Sequence, residues 1–210
     1  MDTVGMSLRE RKKLRTRQAL VDTALRRFTE QGFDATTLDD LCAEVEVSKR
    51  TFFRYFTSKE DVAMAPIHDM WEAFLVVLEA DERTDGTLLE LLADAMLAAV
   101  VAMPDDGWTE RLELTRHLAA VTPSMNAHGL QFCHRTTRTA IDLLRERYGF
   151  AENDLRVRLA VDLGVAAQHC ALEQWVFRPG PAGRDDLLAR LREAYAAIPG
   201  VVTLGLERKG

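Results

Sequence analysis

A short run before residue 60 carries the side chains of this sequence that are best suited to binding chemistry. Two adjacent cations stand between two hydroxyl residues, and aromatic residues follow: Ser48, Lys49, Arg50, Thr51, Phe53 and Tyr55. Cations and hydroxyls of this kind bind phosphate oxygens and the edges of bases. An exposed ring at Phe53 would suit a thymine methyl group or a sugar. The residue types therefore predict contact with nucleic acid, although a solvated helix face can have the same composition.

A second basic cluster lies nearer the N-terminus. It consists of Arg9, Arg11, Lys12, Lys13, Arg15 and Arg17. Residues 1–60 contain 12 Lys+Arg against 10 Asp+Glu, whereas the remaining residues contain 15 against 23. The net charge of −6 hides this asymmetry. We therefore expect the first sixty residues to face a polyanion and the rest to face other partners.

Start and stop signals divide these sixty residues into helices. Apolar residues recur at three- and four-residue spacings from Leu14, and Gly32 is placed to end that helix. Thr37 is a predicted N-cap with an acidic partner three residues later, and Ser48 is another N-cap. Two short helices joined by a tight turn form a helix-turn-helix, in which the second helix presents the basic run. We expect residues 1–58 to be a three-helix DNA-binding domain.

The segment from Thr37 to Val62 resembles the DNA-binding motif of the TetR family of bacterial transcriptional regulators. That motif runs roughly T-x-x-x-I-A-x-x-A-G-V-S-x-x-T-x-Y-x-Y-F-x-x-K-E-x-L and fixes about a dozen positions over 26 residues, most of which the sequence fills with the same or a similar residue. The resemblance implies that phosphates are approached by Thr37, Tyr55 and Lys59. It implies a groove-lining set of Ser48, Lys49, Arg50, Thr51 and Phe53. Arg17 of the second cluster completes the predicted DNA-binding residues.

Two positions depart from the family's pattern. Glu46 stands where the turn usually has glycine, and Phe53 replaces the more frequent tyrosine. If residue 46 must adopt a positive φ, its side chain costs about 1 kcal/mol relative to glycine. The change at Phe53 removes a hydroxyl and, with it, one bond to phosphate.

Residues 59–210 are predicted to form a separate helical bundle for ligand binding and dimerisation, so the fold class is all-α with about nine helices. The predicted helices of this part are 58–80, 87–103, 108–120, 124–148, 153–177 and 185–198. Pro66 lies inside the first and predicts a kink. The expected stops are Pro123, Gly149, the Pro179–Pro181 segment and Pro199.

The helix predicted over 153–177 has apolar residues on two sides. One stripe contains Leu155, Leu159, Leu163, Ala166, Cys170 and Phe177, and the other contains Val157, Val161, Gly164, Gln168, Leu172 and Trp175 or Val176. The small residues Gly164, Ala167 and Ala171 would let a partner helix approach closely. Together with helix 185–198, this pattern predicts the two-fold interface of a homodimer, which a short reading helix also needs for specificity. A large monomeric core is the alternative.

The bundle also holds candidate contacts for a small-molecule effector: Trp71, Met96, Met103, His117, His134, Arg138, His169 and Glu173. The stretch from Arg111 to Trp175 resembles the acyl-coenzyme-A-sensing branch of the TetR family, which implies an apolar pocket. The pairs Cys133-His134 and His169-Cys170 contain side chains that can bind zinc. Adjacent residues on a helix point about 100° apart, however, so the two members of a pair rarely bind one ion. We therefore predict no metal and no cofactor. The three widely spaced cysteines are expected to be reduced core thiols.

Several classes of protein are excluded on sequence grounds. Charges interrupt the most apolar segment, Leu88 to Met103, and the N-terminus has no apolar core of a signal peptide, so we expect a cytoplasmic protein without a membrane partner. Neither a phosphate-binding glycine loop nor a nucleophile elbow is present, which argues against an enzyme. The expected function is a homodimeric repressor that binds a palindromic double-stranded DNA operator and is released by a small, largely apolar ligand. A DNA-binding module without an effector and a helical ligand- or metal-binding protein are the alternatives.

Overall fold

The computed structural model describes residues 7–177, 183–201 and 203–205. Within them the secondary structure consists of helices without strands. The nine helices are α1 (Leu8–Gln31), α2 (Leu38–Glu44), α3 (Lys49–Phe52), α4 (Lys59–Ala80), α5 (Leu88–Ala102), α6 (Trp108–Val121), α7 (Pro123–Tyr148), α8 (Leu155–Val176) and α9 (Arg184–Val201). The all-α prediction and the expected number of helices are confirmed. No helix of the described part of the chain has the length and apolarity that a membrane span requires.

The helices form two compact units. The first contains the chain up to Met70 together with residues 102–134, and the second contains residues 71–101 together with the chain from Arg135 onward. In the first unit, α1 packs against α2 and α6. The side chains at the centre of this unit are fully buried and include Leu20, Phe28, Leu41, Phe52 and Leu112. In the second unit, α8 packs against α9.

Helix α1 begins earlier than the apolar periodicity indicates. Ser7 is its N-cap, and Ser7 and Glu10 form a capping box in which the Ser7 amide donates to Glu10 Oε2 at 2.8 Å. The Glu10 amide donates to Ser7 Oγ at 3.2 Å. These bonds satisfy free amides of the first turn, so the helix includes the basic cluster.

The prolines act differently from the prediction at two places. Pro123 opens α7 instead of merely closing α6, because a proline at the first helical position lacks only an amide that would have no partner there. Helix α9 continues through Pro199 to Val201. The predicted stop at Pro179–Pro181 lies outside the described residues. The expected stops at Gly32 and Gly149 are confirmed, with φ angles of 92° and 66°.

Side chains of α6 bind backbone carbonyls of α4 on both sides of a turn that contains proline. The Trp108 indole N–H donates to the Pro66 carbonyl at 3.1 Å, and the Thr115 hydroxyl donates to the Ala63 carbonyl at 2.8 Å. Both contacts are buried and lie within the first unit. These two hydrogen bonds fix α4 to α6 at the turn that contains Pro66, a residue without a backbone N–H. The kink at Pro66 stays a prediction.

Only one of the two stripes of α8 faces its own subunit. The stripe with Val157, Gly164 and Trp175 is buried, whereas Leu155 and Leu159 on the other stripe are exposed. Gly164, Ala167 and Ala171 are therefore internal residues, and their assignment to a partner helix is corrected. A methyl group built on Gly164 would lie 3.6 Å from Cε1 of Tyr195 on α9. This is an ordinary contact distance, so α9 could approach an alanine at this position as well as the glycine.

The cysteines are free thiols in three different environments. Cys42 is buried, Cys133 is half-buried, and Cys170 is exposed on the outer stripe of α8. The expectation of core thiols holds for Cys42 alone. Burial, as the largest influence, raises the pKa of the Cys42 thiol, which keeps it protonated and unreactive.

Candidate nucleic-acid interface

Helix α2 begins with the predicted capping box. The Asp40 amide donates to Thr37 Oγ1 at 3.2 Å, and the Thr37 amide donates to Asp40 Oδ2 at 2.9 Å. The Thr37 side chain is exposed, and its hydroxyl donates to the same carboxylate oxygen at 2.6 Å. These bonds from Thr37 lower the pKa of Asp40. Thr37 thus fixes the start of α2 at the surface, and a phosphate contact there would require its hydroxyl to change partner.

The turn between α2 and α3 places Glu46 in the left-handed region with φ of 56°, the one positive φ of a non-glycine residue among those described. The Val47 amide donates to the Cys42 carbonyl at 2.9 Å, and the Glu46 amide donates to the Ala43 carbonyl at 3.2 Å. This pair of bonds is the Schellman arrangement that normally has glycine at the left-handed position. Glu46 thus has the positive φ that the sequence raised as a possibility. A residue with a Cβ is less stable than glycine in this conformation.

Helix α3 is a single turn that presents the basic run to solvent. Ser48 caps it by accepting from the Thr51 amide at 3.1 Å, and the two hydroxyls lie 3.0 Å apart. Lys49 Nζ lies 2.9 Å from Asp39 Oδ1, and both side chains are exposed. Arg50 is exposed and makes no ion pair within the described residues. Of the two cations on α3, Arg50 is the one available to an external anion without a rearrangement.

The aromatic residues after Arg50 divide between core and surface. Phe52 and Phe56 are buried with ring centroids 5.8 Å apart. Phe53 is 53% exposed and meets the Phe52 ring edge-on at 5.5 Å. Tyr55 is half-buried. After one turn of α3 the chain continues in tighter turns, with the Tyr55 amide bonded to the Phe52 carbonyl at 2.8 Å, and this geometry keeps Phe53 on the outer side.

Two residues predicted to contact DNA are engaged inside the protein. Arg17 Nη2 donates to Asp69 Oδ1 at 2.7 Å, and its Nη1 donates to Oδ2 at 3.0 Å. Lys59 Nζ donates to the carbonyls of Phe33 and Thr36 at 2.8 and 2.9 Å. These bonds satisfy carbonyls in the connection between α1 and α2. Arg17 and Lys59 therefore make structural contacts within the protein, and their predicted contacts with DNA stay predictions.

The N-terminal part of α1 adds cations that the sequence singled out as a cluster but not as DNA-binding residues. Arg9, Arg11, Lys12 and Arg15 are exposed on the helix, and none of them makes an ion pair within the described residues. The Ser-x-x-Glu capping pattern at residues 7–10 was the sequence signal that the helix reaches this far.

The second unit contains a small cavity with mostly apolar walls. Its lining comes from α4, α5, α7, α8 and α9: Trp71, Phe74, Leu92, Thr136, Thr137, Ala140, Val161, Gly164, Val165 and Tyr195. The cavity volume is about 10 Å³, which is near the lower limit for one water molecule. Burial raises the pKa of Tyr195, so its hydroxyl is neutral at physiological pH and can form a hydrogen bond. On the same helix as Gly164, Gln168 is buried, and its Oε1 has no hydrogen-bond partner within the described residues.

The predicted effector contacts do not meet in this cavity, with the exception of Trp71. Met96 is fully buried but does not line it, and Met103 belongs to the first unit. The remaining predicted contacts are exposed: His117, His134, Arg138, His169 and Glu173. Polar side chains on amphipathic helices point to solvent unless a partner compensates their burial. The hydrophobic periodicity of the sequence did not show which face of each helix these residues occupy.

Comparisons with known proteins agree with this arrangement. The family model described as "Bacterial regulatory proteins, tetR family" matches residues 20–65, which span α2 and α3. TcmR of Streptomyces glaucescens, an HTH-type transcriptional regulator, is 33% identical over 180 residues. That match covers 83% of this chain and 79% of TcmR, so it extends well beyond the helix-turn-helix.

Solved structures share the fold at lower identity. A TetR-family transcriptional regulator from Syntrophomonas wolfei is 18% identical with a TM-score of 0.59, and the match covers 92% of this chain and 98% of that one. SmeT, the repressor of the Stenotrophomonas maltophilia multidrug efflux pump SmeDEF, is 21% identical with a TM-score of 0.51, over 86% and 89% of the two chains. The neighbours combine an N-terminal helix-turn-helix with a C-terminal helical domain.

Proposed function

Because the chain belongs to the TetR family of bacterial transcriptional regulators, we propose that it is a homodimeric repressor of a palindromic operator, released by a small apolar molecule. It is a DNA-binding regulator and not an enzyme. We assign DNA binding to residues 1–58, and effector binding and dimerisation to residues 59–210. This activity belongs in the cytoplasm, where operator DNA lies.

The observation that carries the DNA-binding part is the outer face of α3. Arg50 is exposed without an ion pair within the described residues, and Phe53 is more than half exposed although it is a large apolar residue. In the major groove, Arg50 would donate to base edges or phosphate and Phe53 would contact a thymine methyl. Ser48, Lys49 and Thr51 line the same face. Tyr55 and Thr37 flank it and would approach phosphates.

The outer stripe of α8 supports the homodimer. Leu155, Leu159 and Phe177 are exposed, and Ala166 and Cys170 continue the same side of the helix. Consecutive members are four or seven residues apart, so they share one face. A row of exposed apolar residues on one helix is uncommon on a monomer surface. A second copy that contributes the same helix would bury both rows in an isologous interface.

The cavity in the second unit supports the effector part. Trp71, Phe74 and Val161 give it apolar walls, while Thr137 and Tyr195 add hydroxyls. At about 10 Å³ it admits no organic ligand as it stands, so an effector would have to open it. A ligand that opens the cavity binds one conformation better than the other, and only such a difference can alter the affinity for DNA. The Gln168 amide is a buried polar group one helical turn beyond Gly164, which lines the cavity. SmeT, a fold neighbour, is also known as a complex with triclosan.

Operator selection followed by a charge variant tests the DNA assignment. Fragments of the source genome bound by the protein would be identified and footprinted, and binding would then be titrated at several salt concentrations. Arg50→Ala should weaken binding and reduce the salt slope by about one for each phosphate that the arginine neutralises. Arg138→Ala removes an equally exposed arginine in the second unit and should leave both quantities unchanged. Equal behaviour of the two variants contradicts the role of α3.

Sedimentation tests the homodimer. Leu159→Glu places a charge in the outer stripe of α8 and should convert the dimer to monomer, because the buried charge would be unpaired. Leu130→Glu is the matched control, since Leu130 is 61% exposed against 58% for Leu159. A Leu159→Glu variant that still sediments as a dimer would show that the interface lies elsewhere. A parent protein that sediments as a monomer would contradict the homodimer.

A further inference from the structure

Three potential metal ligands meet in the first unit, away from α3 and from the cavity. Asp61 and His68 lie two turns apart on one face of α4, and His128 comes from α7. His68 Nδ1 lies 3.4 Å from Asp61 Oδ1, and His128 Nε2 lies 3.8 Å from the same oxygen. One donor atom from each residue lies within 4.8 Å of the other two.

The distances match the needs of a small divalent ion. Zinc binds imidazole nitrogen and carboxylate oxygen at about 2.0–2.2 Å with tetrahedral geometry, so its ligand atoms lie about 3.3–3.6 Å apart. The two separations from Asp61 Oδ1 are already close to that range. Small side-chain movements would bring all three atoms around one ion. Two imidazoles and one carboxylate leave the fourth position to water, as in open zinc sites.

The surroundings orient the ligands. The second carboxylate oxygen of Asp61 accepts from the backbone amide of Thr57 at 2.7 Å and from its hydroxyl at 3.0 Å, which leaves Oδ1 to face the histidines. The His68 ring stacks on Phe132 with centroids 3.8 Å apart and planes 18° apart. Outer contacts of this kind fix ligand orientation in metal sites.

One buried nitrogen in the cluster lacks a partner. His68 is 6% exposed, and its Nε2 makes no hydrogen bond within the described residues. Buried polar atoms are almost always paired, and exceptions often mark functional sites. The nitrogen that faces Asp61 Oδ1 is Nδ1, so an ion bound to Nδ1 would not pair Nε2, and the distances between the three ligands carry the assignment. The side chains of Asp61 and His128 are each 22% exposed, which leaves an ion a route from solvent.

We propose that Asp61, His68 and His128 bind one divalent transition-metal ion, for which zinc is the best match. Adjacent cysteine–histidine pairs in the sequence do not predict this site, because its three ligands come from two helices, α4 and α7. The site ties the first turns of α4 to α7 within the first unit. It is independent of the proposed repressor function, and its test needs no DNA.

The experiment uses the full chain, with thiols reduced and metal removed by a chelator. Zinc is titrated by calorimetry, and thermal unfolding is followed with and without zinc. We expect one zinc per chain and a higher Tm in its presence, because the ion binds the folded state. Cobalt, used as a spectroscopic probe, should give the visible bands of a nitrogen- and oxygen-ligated ion without a thiolate charge-transfer band.

Variants separate this site from other histidines and thiols. His128→Gln and His68→Gln should each weaken zinc binding at least tenfold and abolish the zinc-dependent rise in Tm. His128 is partly exposed, so its variant should fold even if the His68 variant does not. His134→Gln and the double variant Cys133→Ser with Cys170→Ser are controls that should bind as the parent does. Unchanged affinity in His128→Gln, loss of binding in either control, or several weak equivalents per chain would overturn the proposal.

Discussion

Arg17 on α1 and Asp69 on α4 form a two-pronged ion pair, with Nη2–Oδ1 and Nη1–Oδ2 distances of 2.7 and 3.0 Å. The Arg17 guanidinium also lies 5.2 Å from the centre of the Phe56 ring. A charged group held at both ends of its planar fork loses freedom to turn towards a phosphate. Arg17 therefore connects two helices of the first unit, and the exposed cations of α1 before it are the ones free to meet DNA.

This ion pair leads to a prediction that separates stability from DNA binding. Arg17→Ala should lower the free energy of unfolding by about 1 kcal/mol, since the pair is bidentate but about one third exposed. Asp69→Asn should cost a similar amount. The salt slope of operator binding should stay unchanged in Arg17→Ala, whereas it falls in Arg50→Ala. Thermal unfolding and anisotropy titrations measure the two effects. A salt slope smaller in Arg17→Ala than in the parent protein would show that Arg17 contacts DNA.

The turn residue Glu46 offers a second prediction. Its φ of 56° is unfavourable for a residue with Cβ. Glu46→Gly should relieve this strain, although glycine also gains freedom in the unfolded chain, so we expect a net stabilisation of about 0.5 kcal/mol. Glu46→Ala keeps Cβ and removes only the charge, so it should bring no such gain. Chemical denaturation distinguishes the variants. A gain in the alanine variant as large as in the glycine variant would attribute the effect to charge.

Local signals in the sequence were sufficient for the helix-turn-helix. The Thr37 capping box, the Ser48 cap and the glycine stops involve residues a few positions apart, so the pattern contains all the information. The contacts of Lys59 depend on carbonyls 26 and 23 residues away. Such contacts arise only when helices pack, and periodicity does not encode them. The proximity of His68 to His128 could not be predicted for the same reason, since the two residues lie on different helices.

The two stripes of α8 illustrate the second limit. Periodicity showed that both sides are apolar but not which side faces the subunit. Small residues suit either role, since they permit close approach by any helix. The buried position of Gly164 beside Tyr195 assigns the small residues to the interior. The larger apolar residues on the other side of α8, such as Leu155 and Leu159, are exposed, as the proposed dimer interface requires.

The N-cap of α8 gives a prediction about pH. Asp154 accepts from the Arg156 guanidinium and from the Arg156 amide at 3.0 Å. These bonds, the side-chain ones first, lower the pKa of Asp154 from 3.8 to about 2. A carboxyl whose pKa is lower in the folded state stabilises that state above its unfolded pKa, and this stabilisation disappears as pH falls from about 4 to about 2.

Asp154→Asn removes this titration but keeps a good N-cap. The parent protein should therefore exceed the variant in Tm at pH 5 to 7, and the difference should shrink as the pH falls below 4. Thermal unfolding at a series of pH values measures it. A difference that stays constant from pH 6 to pH 3 would show that the Asp154 carboxylate has no such linkage.

A substitution at Gly164 should change both the stability of the protein and its proposed response to an effector. A Cβ at this position would lie 3.6 Å from Tyr195 Cε1 and 3.7 Å from Leu92 Cδ1, which is ordinary contact. Because glycine inside a helix costs about 0.5–1 kcal/mol relative to alanine, Gly164→Ala should stabilise the protein by that amount. The Tm should rise by about 1–4 °C for a chain of this length.

The added methyl group also occupies the cavity wall beside Tyr195. An apolar ligand that opens this cavity should therefore bind Gly164→Ala more weakly and release operator DNA less readily, while operator affinity without ligand stays the same. Gly129→Ala on α7 is the matched control: its Cβ would lie 2.9 Å from the Met64 methyl group, so it should gain less stability and leave the ligand response unchanged. Calorimetry with an apolar compound that releases the operator, together with thermal unfolding, measures both effects. A Gly164→Ala variant with a raised Tm and an unaltered ligand response would show that the effector binds elsewhere.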